Sequence, residues 1–456
     1  MSNFEYNAEE NAYLGTPGMA CMHGEAQSSD CSPVPGPGAG PWDVKHIDMG
    51  GACPTIMVGS DGYIQVLVTQ RFGSKLTFLQ PKVAILDPES GETLGSLEVP
   101  KGALLGGVYA YIDHKDRMVF VDGSNTLLRV AHSADGRTVY VDERVSLNRF
   151  LSQYKGDQVV GVVPDWQGRV WVASAHGAIG VVDAGKREVR SIFLKKSQSD
   201  YETVDNSISA CPQGVSVVTS HAIYMLDADE DGTPEILWHA LYDRGTARKP
   251  GQLSWGSGAS PTFFGPNGSD YVMLTDNADE QENLIVYETA TGRLVGSTGV
   301  FQPGTSGTEC SAIGVQNSIV VGSTYGYPYP RYPEGAGPSV PSSALFAPGL
   351  ERYDVTPAGL KDMWKRKDVY SAVVPRLSTA DGYIYICERK RFGLVNGSVI
   401  SGSIIDMETG ETVYSQDFPG LVTVFGVDTL QMVGTIDNNG TWWQGTIGGI
   451  FKITKK

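Results

Sequence analysis

A short turn signature recurs along this 456-residue chain and constrains its fold more than any other feature. A run of β-forming residues ends in an acidic residue, the chain turns through Ser/Thr-Gly or a close variant, and a second β-run begins. The copies occupy residues 85–91, 181–185, 286–292 and 404–410. Repeating units of roughly fifty residues built only from strands are typical of β-propellers and related arrays. The signature therefore predicts a fold, and it names no reaction.

From residue 42 onward the sequence divides into eight such units, so we predict an all-β, eight-bladed β-propeller, with seven blades as the alternative. The last unit shows only three strands, at 421–425, 430–436 and 449–454. Residues 42–49 are a candidate for its fourth strand, because pairing the two ends of the chain closes the ring and removes exposed sheet edges. Residues 1–41 lack the repeat and end in a Pro/Gly-rich stretch. We predict an irregular N-terminal strap at 1–41 and one propeller domain over 42–456.

The charge balance narrows the possible partners. The chain carries 35 Lys and Arg against 51 Asp and Glu, a formal net charge of −16. This excess of acid disfavours nucleic acid and anionic membrane surfaces. No apolar run approaches the ~20 residues that a membrane span needs. We therefore expect a small-molecule substrate, no nucleic acid and no membrane as partner, and leave the oligomeric state open.

Connection lengths differ between the two ends of the predicted propeller. The turns between the first and second strands of each blade are short, whereas the long insertions fall between the second and third strands. These insertions are 71–80, 276–283, 323–348, 389–399 and 437–446. Connections of this kind share one face, and these come from neighbouring blades, so they gather at one end of the central channel, here called the mouth. Long loops on a rigid scaffold commonly carry binding and catalysis, and drift in tolerant loops is the alternative.

Glu309 is the only carboxylate among the polar residues predicted for the innermost strands. A carboxylate near a narrow channel has a raised pKa unless it is paired, so Glu309 is a candidate acid/base catalyst or metal ligand. A glutamate held by neighbouring backbone N–H groups is the alternative. Asp276, at the start of an acidic loop, and Arg389 complete the predicted catalytic set. The predicted substrate-binding residues on the channel wall are Tyr109, Asn206 and Thr262.

Two loops add charged and aromatic side chains to the mouth. Arg389, Lys390 and Arg391, together with Arg71 and Lys75, would form a basic rim suited to a carboxylate or sulfate group. A solvated charged loop is the ordinary reading of such a run. The 323–348 insertion holds four tyrosines and four prolines within residues 325–333. Rigid aromatic side chains suit sugars, aromatic molecules or a protein partner, and packing on the strap is the alternative. The substrate-binding residues predicted here are Tyr325, Tyr327 and Trp442.

Residues 227–235 form the sharpest chemical motif in the chain. Acidic side chains stand at its first, third, fifth and ninth positions around Gly232, and such hard oxygen donors suit calcium. The stretch resembles the calcium loops of integrin-type propeller repeats, with Glu in place of the usual last Asp; a plain acidic turn is the alternative. We predict a structural Ca²⁺ site with the ligands Asp227, Asp229, Asp231 and Glu235. Weak sites of this kind need high calcium, so we expect an exported protein, periplasmic or extracellular, with its leader absent from this sequence, and a cytoplasmic one otherwise.

The six cysteines are too few for a disulfide scaffold. Cys21 and Cys31 lie in a loop-like segment and would be able to pair in an oxidising compartment. We expect the other four to be small buried apolar residues. There is no Cys-x-x-Cys, which disfavours zinc and redox chemistry.

The Asp-x-x-Thr-Gly turns and the eight-unit division resemble the quinoprotein alcohol-dehydrogenase-like propellers, over most of residues 42–456. The resemblance implies the eight-bladed fold. The tryptophan that closes the typical repeat is largely missing, with Trp238 and Trp364 as the nearest matches, and the adjacent cysteine pair of many quinone-binding members is absent. We therefore expect the fold without the quinone.

Two classes of function fit these observations. The first is an enzyme of hydrolase or lyase type that acts on a small organic molecule at the mouth. The second is a non-catalytic binding propeller for a glycan or a protein partner. The fold alone does not choose between them. We favour the enzyme because the insertions ring one side of a channel rather than forming a flat surface.

Overall fold

The computed structural model describes residues 2–75, 77–101, 109–152, 156–183, 185, 188–194, 202–333, 335–392 and 397–456. In this part of the chain the secondary structure is almost entirely β. Eight sheets form the blades of a propeller, and one of them carries a fifth strand at its inner edge. The prediction of an all-β, eight-bladed propeller is confirmed, and the seven-bladed alternative is wrong.

The first strands lie outside the repeating order. They are β1 (Cys31–Ser32), in the strap, and β2 (Trp42–Asp48). Blade one contains β3 (Gly51–Val58), β4 (Ile64–Phe72), β5 (Phe78–Leu86) and β6 (Thr93–Glu98); blade two contains β7 (Tyr111–Ile112), β8 (Met118–Val121), β9 (Thr126–His132) and β10 (Val139–Ser146). After helix α1 (Asn148–Leu151), blade three contains β11 (Val159–Pro164), β12 (Val170–Ser174), β13 (Ala178–Asp183) and β14 (Glu188–Phe193); blade four contains β15 (Ser209–Cys211), β16 (Gly214–Val218), β17 (Ala222–Ala228) and β18 (Pro234–Leu241).

The second half of the ring repeats this order. Blade five contains β19 (Thr262–Phe264), β20 (Tyr271–Thr275), β21 (Asn283–Glu288) and β22 (Leu294–Gly299); blade six contains β23 (Ile313–Val315), β24 (Ser318–Gly322), β25 (Leu350–Thr356) and β26 (Gly359–Arg366). Blade seven contains β27 (Arg376–Ser378), β28 (Tyr383–Phe392), β29 (Gly397–Asp406) and β30 (Thr412–Asp417); blade eight contains β31 (Thr435–Ile436), β32 (Trp442–Gly445) and β33 (Gly449–Lys455). No helix in the described ranges is long and apolar enough to cross a membrane.

Strand composition follows position within the blade. Every residue of β12, with the sequence VWVAS, is buried, because an inner strand is covered on both faces by neighbouring blades. The outer strand β14 carries polar and exposed positions instead. The main hydrophobic cores therefore lie between blades, and the polar edges face outward.

The two ends of the chain close the ring as predicted. Strand β2 pairs antiparallel with β33, from Trp42 opposite Lys455 to Asp48 opposite Gly449. The remaining order of blade eight differs from the prediction. Residues 421–425 belong to the link from blade seven and form no strand, and 437–446 is no long insertion, because it contains a short turn and the whole of β32.

The recurring signature forms the turn between the third and fourth strands of a blade. Asp87 accepts hydrogen bonds from the backbone N–H and the hydroxyl of Ser90, at 2.7 and 2.8 Å. Gly91 closes the turn with a φ of 77° and donates its N–H to the Asp87 carbonyl. The motif repeats because each blade needs a turn residue with positive φ and an acceptor for the turn's free N–H groups.

Two tryptophans tie neighbouring blades together. Trp238 of β18 donates from Nε1 to the Thr289 carbonyl in the turn of blade five, at 2.8 Å. Its ring covers Gly292 so closely that a Cβ there would lie 2.6 Å from the indole. Trp364 of β26 donates in the same way to the Met407 carbonyl of blade seven, at 3.0 Å. These are the two residues that the sequence singled out as matches to the repeat-closing tryptophan.

We expect Trp238→Ala to lower the free energy of unfolding by about 2–4 kcal/mol, because it removes a large ring and leaves a carbonyl without its donor. Chemical denaturation followed by circular dichroism measures the change. Trp255, whose ring is 41% exposed, offers a matched control. Trp255→Ala should cost less than about 1 kcal/mol, and equal losses in the two variants would refute the blade-tying role of Trp238.

The strap first crosses the end of the propeller that carries the short turns. The Asn7 amide donates to the Gly265 carbonyl of blade five at 2.7 Å. The Trp166 indole of blade three donates to the Glu10 carbonyl at 2.9 Å. This first part of the strap therefore lies at the end opposite the mouth.

Residues 18–32 of the strap then fill the central channel. The backbone carbonyls of this segment accept hydrogen bonds from N–H groups of the innermost strands. The donors are Val58, Ile112, Ala210, Phe263, Gly314 and Leu377, and the acceptors are Met19, Ala20, Ala26, Gln27, Ser29 and Asp30. Strand β1 adds a parallel pairing to β27 of blade seven. The segment, here called the plug, satisfies buried N–H groups that would otherwise lack a partner, because little water reaches the filled channel.

A buried polar cluster fixes the plug in place. His23 Nδ1 lies 2.9 Å from Asp30 Oδ1, and the Ser311 hydroxyl donates to Asp30 Oδ2 at 2.5 Å. Arg376 of β27 lies 3.9 Å from Asp30 and donates to the Gly18 carbonyl. All six cysteines are free thiols, including Cys21 and Cys31 in the plug.

Candidate functional site

The mouth is a blind recess, because the plug closes the channel beneath it. Met22 at the top of the plug packs against Cys310, Val374 and Val433, which come from the starts of blades six, seven and eight. The links that lead into the innermost strands surround this floor.

Glu309 stands at this recess, at the start of blade six, and is partly exposed. Its carboxylate accepts a hydrogen bond from the Leu253 N–H at 2.6 Å and another from the Ser254 N–H. Gly258 lies against the carboxylate, since a Cβ there would be 2.7 Å from either oxygen. The link into blade five thus forms a fitted cradle for this side chain. The sequence left open whether Glu309 is catalytic or is held by backbone N–H groups. The structure shows that backbone N–H groups hold it. A carboxylate accepts more than two hydrogen bonds, so Glu309 is still able to accept one from a ligand.

Burial raises the pKa of Glu309 to about 8, and the nearby charges of Glu282 and Asp205 act in the same direction. The two backbone N–H donors oppose this shift only in part. Glu309 is therefore mostly protonated near neutral pH and able to donate a proton. A carboxyl with a pKa close to the working pH is the kind of group that acid/base catalysis uses.

A second carboxylate lies in blade five. Burial raises the pKa of Glu282 to about 8, although Lys249 at 3.5 Å opposes the shift. Gln252 donates to Glu282 at 2.9 Å. Lys249 also donates to two backbone carbonyls, so its charge is fully engaged within blade five and the adjoining links.

Tyrosine and amide groups complete the wall. The Tyr109 hydroxyl donates to the Asn206 side-chain oxygen, and the Asn206 amide donates to the Ser257 carbonyl, both at 3.5 Å. Asp205 precedes Asn206, is exposed, and accepts a hydrogen bond from the Thr203 hydroxyl at 2.8 Å. The Tyr329 hydroxyl is buried near Glu309 and has no hydrogen-bond partner among the described residues. Tyr109 and Asn206 therefore lie near Glu309, and their role as substrate-binding residues stays a prediction.

Two predicted residues lie away from this recess. Asp276 is buried and accepts the N–H groups of Ala278 and Asn283 and the Asn283 amide, so it shapes the loop 276–283. Thr262 is buried in β19 beside the plug and donates to the Ala312 carbonyl at 3.2 Å. Neither side chain faces a ligand at the mouth. Asp276 accepts hydrogen bonds from its own loop, and Thr262 lies below Met22, beside the plug.

Arg389, the catalytic candidate of the predicted basic rim, is already paired with an acidic residue. Arg389 forms an ion pair with Asp428 at 2.7 Å, and its guanidinium carbon lies 5.6 Å from the Tyr327 ring centroid. Tyr327 is buried and donates its hydroxyl to Asp428. Tyr325 is also buried, beside Gly307. The side chain of Arg391 is outside the described part of the chain. These aromatic residues form the packed base of the 323–348 loop, and the prediction of a freely presented aromatic flap is wrong for Tyr325 and Tyr327.

Trp442 does not belong to a loop. It lies in β32, is fully buried, and packs edge-on against Trp42, Tyr385 and Phe418. The prediction that Trp442 binds substrate is wrong, because the stretch 437–446 contains an inner strand of blade eight and is not a loop at the mouth. A sequence signal for this existed: Asp437 and Trp443 share the spacing of Asp165 and Trp171, and in both pairs the indole donates to the aspartate at 2.8 Å.

The acidic stretch 227–235 connects β17 to β18. Asp227 accepts a hydrogen bond from Arg169 at 3.2 Å, and Asp229 accepts the N–H groups of Asp231 and Thr233. No group of three or more His, Cys, Asp or Glu side chains is placed to hold a metal in the described ranges. The four predicted ligands, Glu235 included, are therefore not gathered around one point, and calcium stays a prediction.

The sequence did not single out several contributors to the recess. Asp205, Tyr329 and the cradle of Leu253, Ser254 and Gly258 lie in links and loops whose approach to Glu309 depends on how the blades close around the axis. One signal was available: the links that carry Asp205 and Gly258 feed directly into predicted innermost strands. Their proximity to Glu309 was not readable, because it joins residues from different blades.

No family model matches this sequence. An uncharacterized protein of Archaeoglobus fulgidus is 26% identical over 196 residues, which is 43% of this chain and 37% of that protein. The chain therefore matches little more than a third of that relative's length.

Solved structures show the fold class. A europium-containing methanol dehydrogenase superposes with a TM-score of 0.59 at 10% identity and covers 96% of this chain and 98% of its own. The quinohemoprotein alcohol dehydrogenase of Comamonas testosteroni gives 0.58 at 11% identity, with 97% and 81% covered. A quinohemoprotein alcohol dehydrogenase from Pseudomonas putida HK5 gives 0.58 at 12% identity, with 98% and 82% covered. By fold, this protein is an eight-bladed propeller similar to those of the quinoprotein alcohol dehydrogenases, as its turn motif predicted.

The recess does not fit the quinone and metal chemistry that those names imply. Of its two raised-pKa glutamates, Glu309 is held by backbone N–H groups and Glu282 by Lys249 and Gln252. A metal site needs several converging oxygen or nitrogen ligands, and the described side chains form no such group. We derive no step through either cofactor, and the expectation of a chain without quinone stays a prediction.

Proposed function

We propose that this protein is an enzyme of hydrolase or lyase type that acts on a small organic molecule in the mouth recess, with Glu309 as proton donor. The observation that carries the proposal is the cradled, partly exposed Glu309 with a pKa raised to about 8. A blind recess with one protonated and one ionisable carboxyl is suited to moving a proton on and off a bound molecule.

The chemistry assigns different roles to the two carboxyl groups. Glu309 donates its proton to the leaving oxygen or nitrogen of the substrate as the bond to that atom breaks. Asp205 is the group that removes a proton, either from an attacking water in a hydrolysis or from carbon in an elimination. In either case one proton is taken up and one is released, so Glu309 recovers its proton before the next turnover.

We expect Glu309→Gln to lower kcat by about 10²–10⁴ with little change in KM. The glutamine side chain fills the same cradle, but its amide is unable to protonate the leaving group. The assay follows hydrolysis or elimination in a panel of chromogenic esters, glycosides and β-substituted carbonyl compounds. Wild-type activity should fall as pH rises past about 8, where Glu309 loses its proton. Glu230→Gln, on an exposed turn at the other end of the propeller, is the control and should keep full activity. Unchanged turnover in Glu309→Gln would disprove the assignment.

A second candidate function has its own supporting observation. Phe72 and Phe78, at the tip of the β4–β5 hairpin, are 61% and 50% exposed, and Leu421 and Phe425 of the neighbouring link are 61% and 66% exposed. Exposed apolar patches of this kind favour a protein-binding propeller. Binding of a partner that is lost in Phe72→Ser and Phe425→Ser, and kept in Glu309→Gln, would support this second function over the first.

A further inference from the structure

The link from β18 to β19 forms the Glu309 cradle and also carries three cations. Its N–H groups at Leu253 and Ser254 hold the Glu309 carboxylate. One of the three cations forms an ion pair, with Glu282 at 3.5 Å, and the other two have no carboxylate within ion-pair distance among the described residues. The three are Lys249, which is the paired one, Arg244 and Arg248. The link that holds the proposed proton donor therefore also carries positive charge that no paired carboxylate balances.

Arg248 uses its guanidinium to hold the fold together. It is buried, and it donates from Nε and Nη2 to the Gly337 carbonyl at 3.2 and 2.9 Å. Its Nη1 donates to the Gln252 carbonyl at 2.6 Å, and its guanidinium carbon lies 4.5 Å from the Tyr332 ring centroid. All three nitrogens are engaged, so Arg248 ties the 323–348 loop to the link and is not a ligand-binding group.

Arg244 is arranged differently, because one edge of its guanidinium is open. Its Nη1 donates to Nε2 of His221 at 2.9 Å, and its guanidinium carbon lies 3.8 Å from the Trp255 ring centroid. Nε is buried and, like Nη2, makes no hydrogen bond to any residue in the described part of the chain. These two nitrogens form an edge that binds a carboxylate through two parallel hydrogen bonds. A buried donor without an acceptor is costly unless a ligand or water completes it.

The backbone holds Arg244 in position. The Trp255 indole donates to the Arg244 carbonyl at 3.0 Å, and the Asn277 amide donates to the same carbonyl at 2.7 Å. Asp243, the neighbouring carboxylate in the sequence, accepts the Gly245 N–H at 2.9 Å instead of pairing with the guanidinium. The arginine is therefore positioned before a ligand arrives, which reduces the entropy lost on binding.

A chain of hydrogen bonds connects this arginine to the recess. The Ser257 N–H donates to the Tyr242 hydroxyl at 2.9 Å, and the Ser257 carbonyl accepts the Asn206 amide at 3.5 Å. Burial raises the pKa of Tyr242, and the nearby charge of Arg244 opposes that shift, so the guanidinium lies close to the Tyr242 hydroxyl. The open edge of Arg244 therefore belongs to the wall of the recess that carries Asn206.

We infer that Arg244, stacked on Trp255, binds a carboxylate group of the substrate, so that the enzyme acts on a small organic acid. The inference rests on the proposed function, since it names the substrate class of the same site. It agrees with Glu309 as proton donor, because the carboxylate pairs with Arg244 and leaves the Glu309 proton in place. The net charge of −16 opposes an anion at long range, and salt at about 0.1 M screens this repulsion beyond about 10 Å.

The test compares ligands of similar shape and different charge. Benzoate, its neutral isostere benzamide and cationic benzylammonium are titrated by ligand-observed NMR at pH 7 and about 0.1 M salt. We expect benzoate to bind at least about tenfold tighter than either of the other two. Arg244→Gln should remove this preference, and Arg244→Lys should keep only part of it, because lysine supplies a point charge without the two-donor edge. Arg293→Gln, at an exposed arginine on a turn of blade five, is the matched control and should keep the full preference.

The outcomes distinguish the carboxylate site from the proposed enzyme. Equal affinity for benzoate and benzamide in the wild type would overturn the inference, whether or not Arg244→Gln folds. A benzoate preference that survives in both Arg244→Gln and Arg244→Lys would overturn it as well. Glu309-dependent turnover of neutral substrates without any benzoate preference would leave the enzyme proposal standing alone. An Arg244-dependent benzoate preference, combined with no turnover of any substrate, would uphold the carboxylate site and refute the enzyme.

Discussion

Asp30→Ala is expected to lower the free energy of unfolding by about 3–5 kcal/mol, the cost of leaving a buried charge without its partner. Asp30 is fully buried in the plug and accepts hydrogen bonds from His23 and Ser311. Arg376, also buried, lies 3.9 Å away and would lose the nearest balancing charge. Chemical denaturation at pH 7 measures the loss.

Asp43 offers the matched control for this prediction. Its carboxylate is about half exposed and pairs with Lys45 at 3.8 Å on the surface. Asp43→Ala should change stability by less than about 0.5 kcal/mol, since exposed ion pairs contribute little. If Asp30→Ala behaved like Asp43→Ala, the plug would not be a structural element of the propeller.

Glu309→Gln is expected to make the protein more stable at pH 8 while leaving its stability at pH 5 nearly unchanged. In the folded protein burial raises the pKa of Glu309 from 4.5 to about 8. In the unfolded chain the group ionises near its ordinary value, so between these two pKa values unfolding releases a proton. The stability contributed by Glu309 is therefore fully present below about pH 4.5 and is lost as pH rises towards 8. Glutamine shows no such loss, and the gain at pH 8 should be roughly 2 kcal/mol or more.

Urea denaturation of wild type and variant from pH 5 to pH 8 tests this expectation. Glu282 has a pKa raised in the same direction and is retained in the variant, so some pH dependence should remain. Glu230→Gln controls for the loss of one carboxylate on an exposed turn. A Glu309→Gln protein with the same slope of stability against pH as wild type would show that Glu309 ionises normally in the folded state.

A stabilising substitution at the proposed catalytic position has a physical explanation. The cradle formed by Leu253, Ser254 and Gly258 encloses a carboxyl group that water would solvate better. Folding therefore keeps the proposed proton donor buried at the expense of stability, a trade-off that is common in active sites. The stability and the activity of Glu309→Gln therefore report on the same buried carboxyl group.

The errors of sequence interpretation in blade eight share one cause. The hydrophobic residues at 421–425 predict a strand, although three large apolar side chains there are more than half exposed. The sequence predicts a loop at Trp442, because its strand β32 has only four residues and follows a turn rich in Asp and Asn. Short inner strands produce little periodicity, so local pattern does not separate them from loops.

The position of the strap in the fold was also not predictable from the local sequence pattern. Its Pro/Gly-rich end predicted a stiff segment, and residues 33–41 do connect the plug to β2. The sequence of residues 18–32 contains no pattern that predicts hydrogen bonds from the innermost strands of six blades to its carbonyls. Those donors belong to residues far apart in the sequence, and they become neighbours only when the ring closes.

The sequence by itself determined the repeat, favoured eight blades over seven, and indicated that Glu309 lies at the start of an inner strand, since each follows from turn chemistry and strand pattern within about fifty residues. It also offered residues 42–49 as the missing strand of the last blade, because closing the ring needs one. Tertiary structure alone decided that the channel is plugged, that Arg389 is neutralised by Asp428, and that Asp205 and Tyr329 approach Glu309. Contacts of the second kind join different blades and links, where closure of the ring sets the distances and the local sequence does not.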